Sequence, residues 1–103
     1  MKKKQSTGIM SVADLSQVNN QMSVNVRGTI SRIKEMTTDH LKKDMAVLQI
    51  EDDGAQIMVM VFPEVYEECR LKLENDTRII VHGRMSKEEN GPAVIADRVT
   101  RVS

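Results

Sequence analysis

The sequence predicts an all-β domain with one helix: five strands closed into a Greek-key barrel, the helix falling between the third and fourth strands. Three observations lead there. Apolar residues recur with a period of two from Met22 onward, which is the mark of strands with one wet face. That pattern is interrupted by one helical stretch after Pro63. The 103 residues leave room for a single core and no second domain.

The elements follow in order. Residues 1–8, Met-Lys-Lys-Lys-Gln-Ser-Thr-Gly, have the composition of a linker, and residues 9–20 carry weak apolar spacing that suits a short covering segment. Together, residues 1–20 read as a flexible tail with a cover, and 21–103 as the barrel domain. Met22, Val24, Val26, Gly28 and Ile30 alternate with polar residues and make the first strand, with Gly28 a candidate bend or bulge. Residues 34–44 are polar and read as a long loop. Residues 45–50 and 55–62 form the next two strands, an antiparallel pair turned by Asp53-Gly54. Pro63 suits a first helical position, and residues 64–74 follow with acids early and Val65, Tyr66, Cys69 and Leu73 on one stripe. Residues 77–85 and 93–102 return to strand, separated by the turn-forming Glu88-Glu89-Asn90-Gly91-Pro92. This order is that of the OB-fold, in which oligonucleotides or oligosaccharides bind across strands two and three, between the loop joining strands one and two and the loop joining strands four and five.

Composition removes several function classes. Fifteen basic residues balance fifteen acidic ones, so any contact with nucleic acid depends on a local patch. The balance hides a gradient: residues 1–44 hold eight basic and four acidic side chains, 45–78 three and eight, and 79–103 four and three. A lone Cys69 excludes an internal disulfide and suits a reducing compartment. No apolar run is long enough for a bilayer span, and no signal peptide is legible, so the expected location is the cytoplasm. One Phe, one Tyr and no Trp, against eight Met, limit any binding mode built on stacked rings. His40 and His82 lack ligand company at metal spacing, Asp52 and Asp53 read as turn formers, and Cys69 reads as a small hydrophobe. The expectation is therefore no metal, no cofactor and no active site.

Val26-Arg27-Gly28-Thr29-Ile30, Met45 to Asp52, Ile57 to Tyr66 and Val81-His82-Gly83-Arg84 resemble the OB domain of the bacterial replicative DNA polymerase III alpha subunit, over roughly residues 22–99. The run from Val61 to Tyr66 is the most specific part; the rest is shared more loosely with the OB domains of class II aminoacyl-tRNA synthetases. The resemblance implies a non-catalytic domain that holds single-stranded DNA near a bacterial polymerase active site, with other polymerase domains as partners and the lysine-rich start as a linker. Val47 and Cys69 stand where relatives often carry aromatic rings, which implies a weak and largely electrostatic grip.

The candidate nucleic-acid-binding residues are Arg27, Arg32, Lys34, Lys42, Lys43, Val47, Arg84 and Lys87. Arg32 to Lys43 would gather, with His40, at one mouth of the groove, and Arg84 and Lys87 would stand on the opposite wall. Phe62 and Tyr66 are expected in the core where the helix docks. Met45, Met58 and Met60, with Val47, make the outer side of strands two and three apolar. That side is either a protein interface, such as a homodimer contact, or a face covered by Met22 and residues 9–20. A protein-interaction OB domain and a tRNA-binding one are the alternatives to single-stranded DNA binding.

Overall fold

A computed structural model describes residues 8–38, 42–88 and 91–102. His40, Asp39, Glu89, Asn90 and the lysine-rich start named above lie outside the described residues. The chain forms strands β1 (Ser23–Thr37), β2 (Asp44–Asp52) and β3 (Ala55–Val61), helix α1 (Pro63–Cys69), then β4 (Arg78–Glu88) and β5 (Gly91–Arg101). The strands close into a barrel in the order β1-β2-β3-β5-β4, with β3 and β5 parallel and the other pairs antiparallel. This is the expected five-stranded barrel with its helix between β3 and β4.

Strand parity builds the core. Val24, Val26 and Ile30 of β1, Ala46, Leu48 and Ile50 of β2, and Ile57, Val59 and Val61 of β3 point inward, with Ile79, Val81 and Met85 of β4 and Val94, Ala96 and Val99 of β5. Each end of the barrel is then stopped by a short helical segment. Tyr66 and Cys69 of α1, with Leu73 after it, close one end. A 3-10 turn at Val12–Gln17 closes the other with Val12 and Leu15, its start held by a capping box between Ser11 and Asp14. Met10 fastens this segment to β1, its N–H donating to Asn25 O (2.8 Å) and its carbonyl accepting from Arg27 N (3.0 Å). Residues 9–20 thus cover an end of the barrel and leave the Met-bearing outer face open, and Met22 is exposed as well.

Four local expectations are corrected. Residues 34–37 are not loop: β1 runs on to Thr37 and pairs with β2 as far as Asp44, leaving a tip of six residues. A bulge between Ile30 and Arg32 resets the alternation, and beyond it the strand is mostly exposed, so no apolar period marks it. The irregularity is therefore at Ser31 and not at Gly28, whose absent side chain makes room for Ile50: a Cβ there would lie 3.1 Å from that side chain. The helix is shorter than 64–74, because after Cys69 the chain tightens into a 3-10 turn at Arg70–Lys72 and Leu73 turns extended to reach the core. Finally, β4 and β5 pair out to Glu88 and Gly91, so part of the expected turn is strand.

Candidate nucleic-acid interface

Following the pairing registers across the sheet gives the outer face residue by residue. Lys34 of β1 stands opposite Val47 of β2, Val47 opposite Met60 of β3, Met60 opposite Ile95 of β5, and Ile95 opposite Arg84 of β4. Paired residues point to the same side of a sheet, so these five side chains form one row with a cation at each end and an aliphatic floor between. The next row runs Arg32, Gln49, Met58, Ala93, Ser86. Four inter-strand steps of about 4.8 Å put roughly 19 Å of sheet between Lys34 and Arg84, the terminal cations of the first row.

The floor has relief. Val47 and Met45 are buried by their neighbours, whereas Met58 is 51% exposed. Of the proposed interface residues, Met58 is therefore the one that protrudes, Met60 is half-buried, and Met45 is covered. Phe62 corrects the expectation of a core ring. It is 43% exposed, while Tyr66 is buried and donates its hydroxyl hydrogen to Glu35. Phe62 has extended backbone (φ −71°, ψ 164°), so the alternation that turns Met58 and Met60 outward carries on through it and sets the ring at the end of the floor. That parity was readable in the sequence; the position next to Pro63 favoured the wrong assignment. Ile95 and Met36 are floor residues that sequence reasoning did not single out, because β5 and the far half of β1 join the face only through long-range pairing; Gln49 is another, although its outward parity with Val47 on β2 was a readable signal.

Not every candidate cation reaches this face. Arg27 lies on the other side of the barrel, where β1 pairs with β4; its Nε is 3.2 Å from Asp52 Oδ2 and its guanidinium donates to Ile9 O at 3.4 Å. The Asp52 contact is one of opposite charges without hydrogen-bond geometry, since Oδ2 has no hydrogen-bond partner. Lys87 shares the inward parity of Met85 and lines an apolar cleft of about 440 Å³ at the stopped end, with Val12, Leu15, Ile57 and Pro92. It is not on the wall beside Arg84. Lys42 and Lys43 sit at the hairpin tip and open onto a cleft of about 320 Å³ shared with Arg70, Tyr66, Glu67 and Asp44. Thr38 ties that tip, its carbonyl accepting from Lys42 N (2.8 Å) and its N–H donating to Lys43 O (2.9 Å). Arg70 lies over the Tyr66 ring, 5.4 Å from its centroid. Arg32, Lys34 and Arg84 are thus the predicted cations that the registers bring to the floor, with Lys42 and Lys43 beyond its helix end.

Two titrations bear on the surroundings. Burial pushes the Cys69 thiol up, as befits a core side chain. Burial, and then the charge of Arg98, hold the His82 imidazole below its usual value. Among the described residues, no three His, Cys, Asp or Glu side chains converge as a metal site would require, and no helix is long and apolar enough to cross a membrane.

A closed five-stranded barrel stopped by a helix between β3 and β4, with a continuous floor across β2 and β3, defines an OB-fold binding domain. The chain belongs to the OB-fold nucleic acid binding domain family (tRNA anti-codon), whose model matches residues 4–102. Among solved structures it is similar to a domain of replication protein A from Methanococcus maripaludis (TM-score 0.71, 14% identity, 93% of this chain and 97% of that one). It is similar as well to the hypothetical protein ygiW from E. coli (TM-score 0.70, 14% identity, 97% and 99%). A third similar structure is the S. pombe Stn1-Ten1 complex (TM-score 0.62, 14% identity, 78% and 57%). No curated protein matches the sequence. At these identities the structures attest the fold.

Proposed function

We propose that this domain is a non-catalytic binder of single-stranded DNA, the strand lying across the outer face of β2 and β3. The observation that carries the reading is the register row Lys34, Val47, Met60, Ile95, Arg84: phosphate-neutralising groups at both edges of a floor on which bases can rest. Arg32 adds a third cation, and Phe62 offers one stacking ring, where base-to-ring stacking is worth about 1–3 kcal/mol. The remaining base contacts are to Met and aliphatic side chains, so the grip is chiefly electrostatic. Resemblance to the replication protein A domain in fold supports the choice of single strands. The resemblance of the Val61–Tyr66 run to the DNA polymerase III alpha subunit supports a bacterial, cytoplasmic setting beside other polymerase domains.

The test is anisotropy titration of a labelled oligonucleotide at several salt concentrations. Three neutralised phosphates give a slope of log affinity against log salt of about −2, and Lys34→Ala or Arg84→Ala each reduce it by about 0.7. Absence of binding at low salt, or a slope indifferent to both substitutions, refutes the reading. The family's name raises tRNA as a ligand, which the same titration with RNA decides. The exposure of Met58 and Phe62 favours a second reading, a protein or homodimer contact on this face. A dimer in sedimentation that Met58→Lys dissolves would support it.

A further inference from the structure

We propose that the apolar cleft at the barrel end stopped by the 3-10 turn binds a small amphipathic carboxylate, a short aliphatic chain ending in one negative charge, with Lys87 holding the charge. This site is separate from the strand-binding row, since none of Lys34, Val47, Met60, Ile95 and Arg84 lines it. Its volume of about 440 Å³ lies within the range of about 300–1,000 Å³ that small-molecule sites occupy. Val12 and Leu15 of the turn, Ile57 of β3 and Met85 of β4 form its base, so most of what enters must be apolar. Met85 lets that base adapt to the shape of a chain.

The polar groups at the rim are largely spent on one another. Ser16 donates its hydroxyl hydrogen to Ala13 O (3.4 Å), and Gln56 donates to Glu51 Oε2 (2.9 Å) while its oxygen accepts from Gln49. Lys87 differs. Its side chain is exposed, makes no ion pair among the described residues, and is the one charged group among them that lines the cleft. An ammonium only donates, so its partner must accept, and in an otherwise apolar cleft the ligand must carry its polarity at one end. One cation balances the single charge of a carboxylate; a phosphate monoester, with a charge of about −1.5 to −2 at neutral pH, would be left partly unpaired. A peptide is the poorer occupant, because peptides dock in such places by pairing along a free strand edge. The β4 edge beside the cleft is taken: Met85 O accepts from Gln21 N (2.7 Å), Met85 N donates to Met22 O (2.8 Å), and Lys87 N donates to Asn20 Oδ1 (2.8 Å). Pro92, on β5, has no N–H to offer.

Octanoate, 1-octanol and octylammonium share one chain and differ in head group, so they separate the cleft from its charge. Titrated into the full chain and followed by methyl NMR, octanoate should shift the signals of Val12, Leu15, Ile57 and Met85 to saturation. It should bind about threefold more tightly than octanol, as a solvent-exposed ion pair allows, and octylammonium should bind less tightly than octanol. From hexanoate to octanoate, each methylene should tighten binding about fourfold. Lys87→Met, at an exposed position, should bring octanoate to the affinity of octanol and leave octanol unchanged. No saturable shift at those methyls, shifts at Met58 and Met36 in their place, or a preference for octanoate that survives Lys87→Met would overturn the proposal. A leucine-terminated tripeptide that binds the cleft more tightly than octanoate would overturn the ligand class in favour of a protein terminus.

Discussion

At Gly83 the barrel depends on the lack of a side chain. A Cβ there would run into the carbonyl oxygen of Ile95, at the point where the β4–β5 register shifts between His82 and Gly83. Gly83→Ala must separate two backbones, which cannot rotate out of the way as a side chain can. The expected loss in urea unfolding therefore exceeds the roughly 1–3 kcal/mol of ordinary overpacking, whereas Gly28→Ala, which meets only the Ile50 side chain, costs less. An unchanged urea midpoint for Gly83→Ala would refute this. One residue earlier, His82 Nδ1 lies 2.7 Å from Asn25 Oδ1, and its pKa is held below the unfolded value of 6.5. A group that binds protons less readily when folded stabilises the native state above its unfolded pKa, and that contribution is lost as pH falls through the folded pKa. The melting temperature should thus drop from pH 7 to pH 5 by more in the unaltered protein than in His82→Gln; parallel profiles would contradict it.

Elements were legible where one face is dry. The inward half of β1 announces itself by alternation, because a barrel interior imposes it, and β2 and β3 by short apolar runs on either side of Asp53-Gly54. The far half of β1 has no such imprint: from Arg32 to Thr37 it is held by backbone pairing to β2 with both faces largely wet, so its composition is that of a loop. The same cause hid part of the site. Arg32, Lys34, Val47 and Arg84 could be named from charge and position, but that Ile95 and Arg84 continue the row of Lys34 and Val47 follows only from the parallel pairing of β3 with β5. Arg27 is a different case, since parity says which side of a strand a residue takes, not which part of a closed cylinder that side becomes; Lys87 leaves the wall because β4 runs on through it to Glu88 and gives it the inward parity of Met85. The covering segment is a further case, since its weak apolar spacing conceals a plug. Leu15 is 2% exposed and belongs to the core although it precedes the first strand. Leu15→Ala should cost about 2–5 kcal/mol, as for a buried leucine. A cost under about 0.5 kcal/mol, typical of a surface site, would mean that the barrel end is stopped without it.

For the whole molecule, zero net charge means that no long-range field draws a polyanion in, and attraction on this face rests on local cations, Lys34 and Arg84 at the ends of one row and Arg32 at an end of the next. Acids reinforce this locality: Glu64, Glu67 and Glu68 are exposed on α1, beyond the Phe62 end of the floor. The grip should then depend on ligand length in a way that uniform attraction would not. Lys34 and Arg84 stand about 19 Å apart along the sheet. At about 3.4 Å per stacked nucleotide, a strand needs roughly six nucleotides to engage both, and fewer if it is unstacked. Affinity should rise steeply up to a length of about four to six nucleotides and thereafter only by the added number of binding registers. Below the break, Lys34→Ala and Arg84→Ala should be less than additive, because a short strand occupies one edge at a time. Above it, they should add, as expected of sites farther apart than about 10 Å without shared partners. A constant gain per nucleotide with no break, or additivity at every length, would show that the two cations do not serve one strand, and the shared floor would lose its role as the binding face.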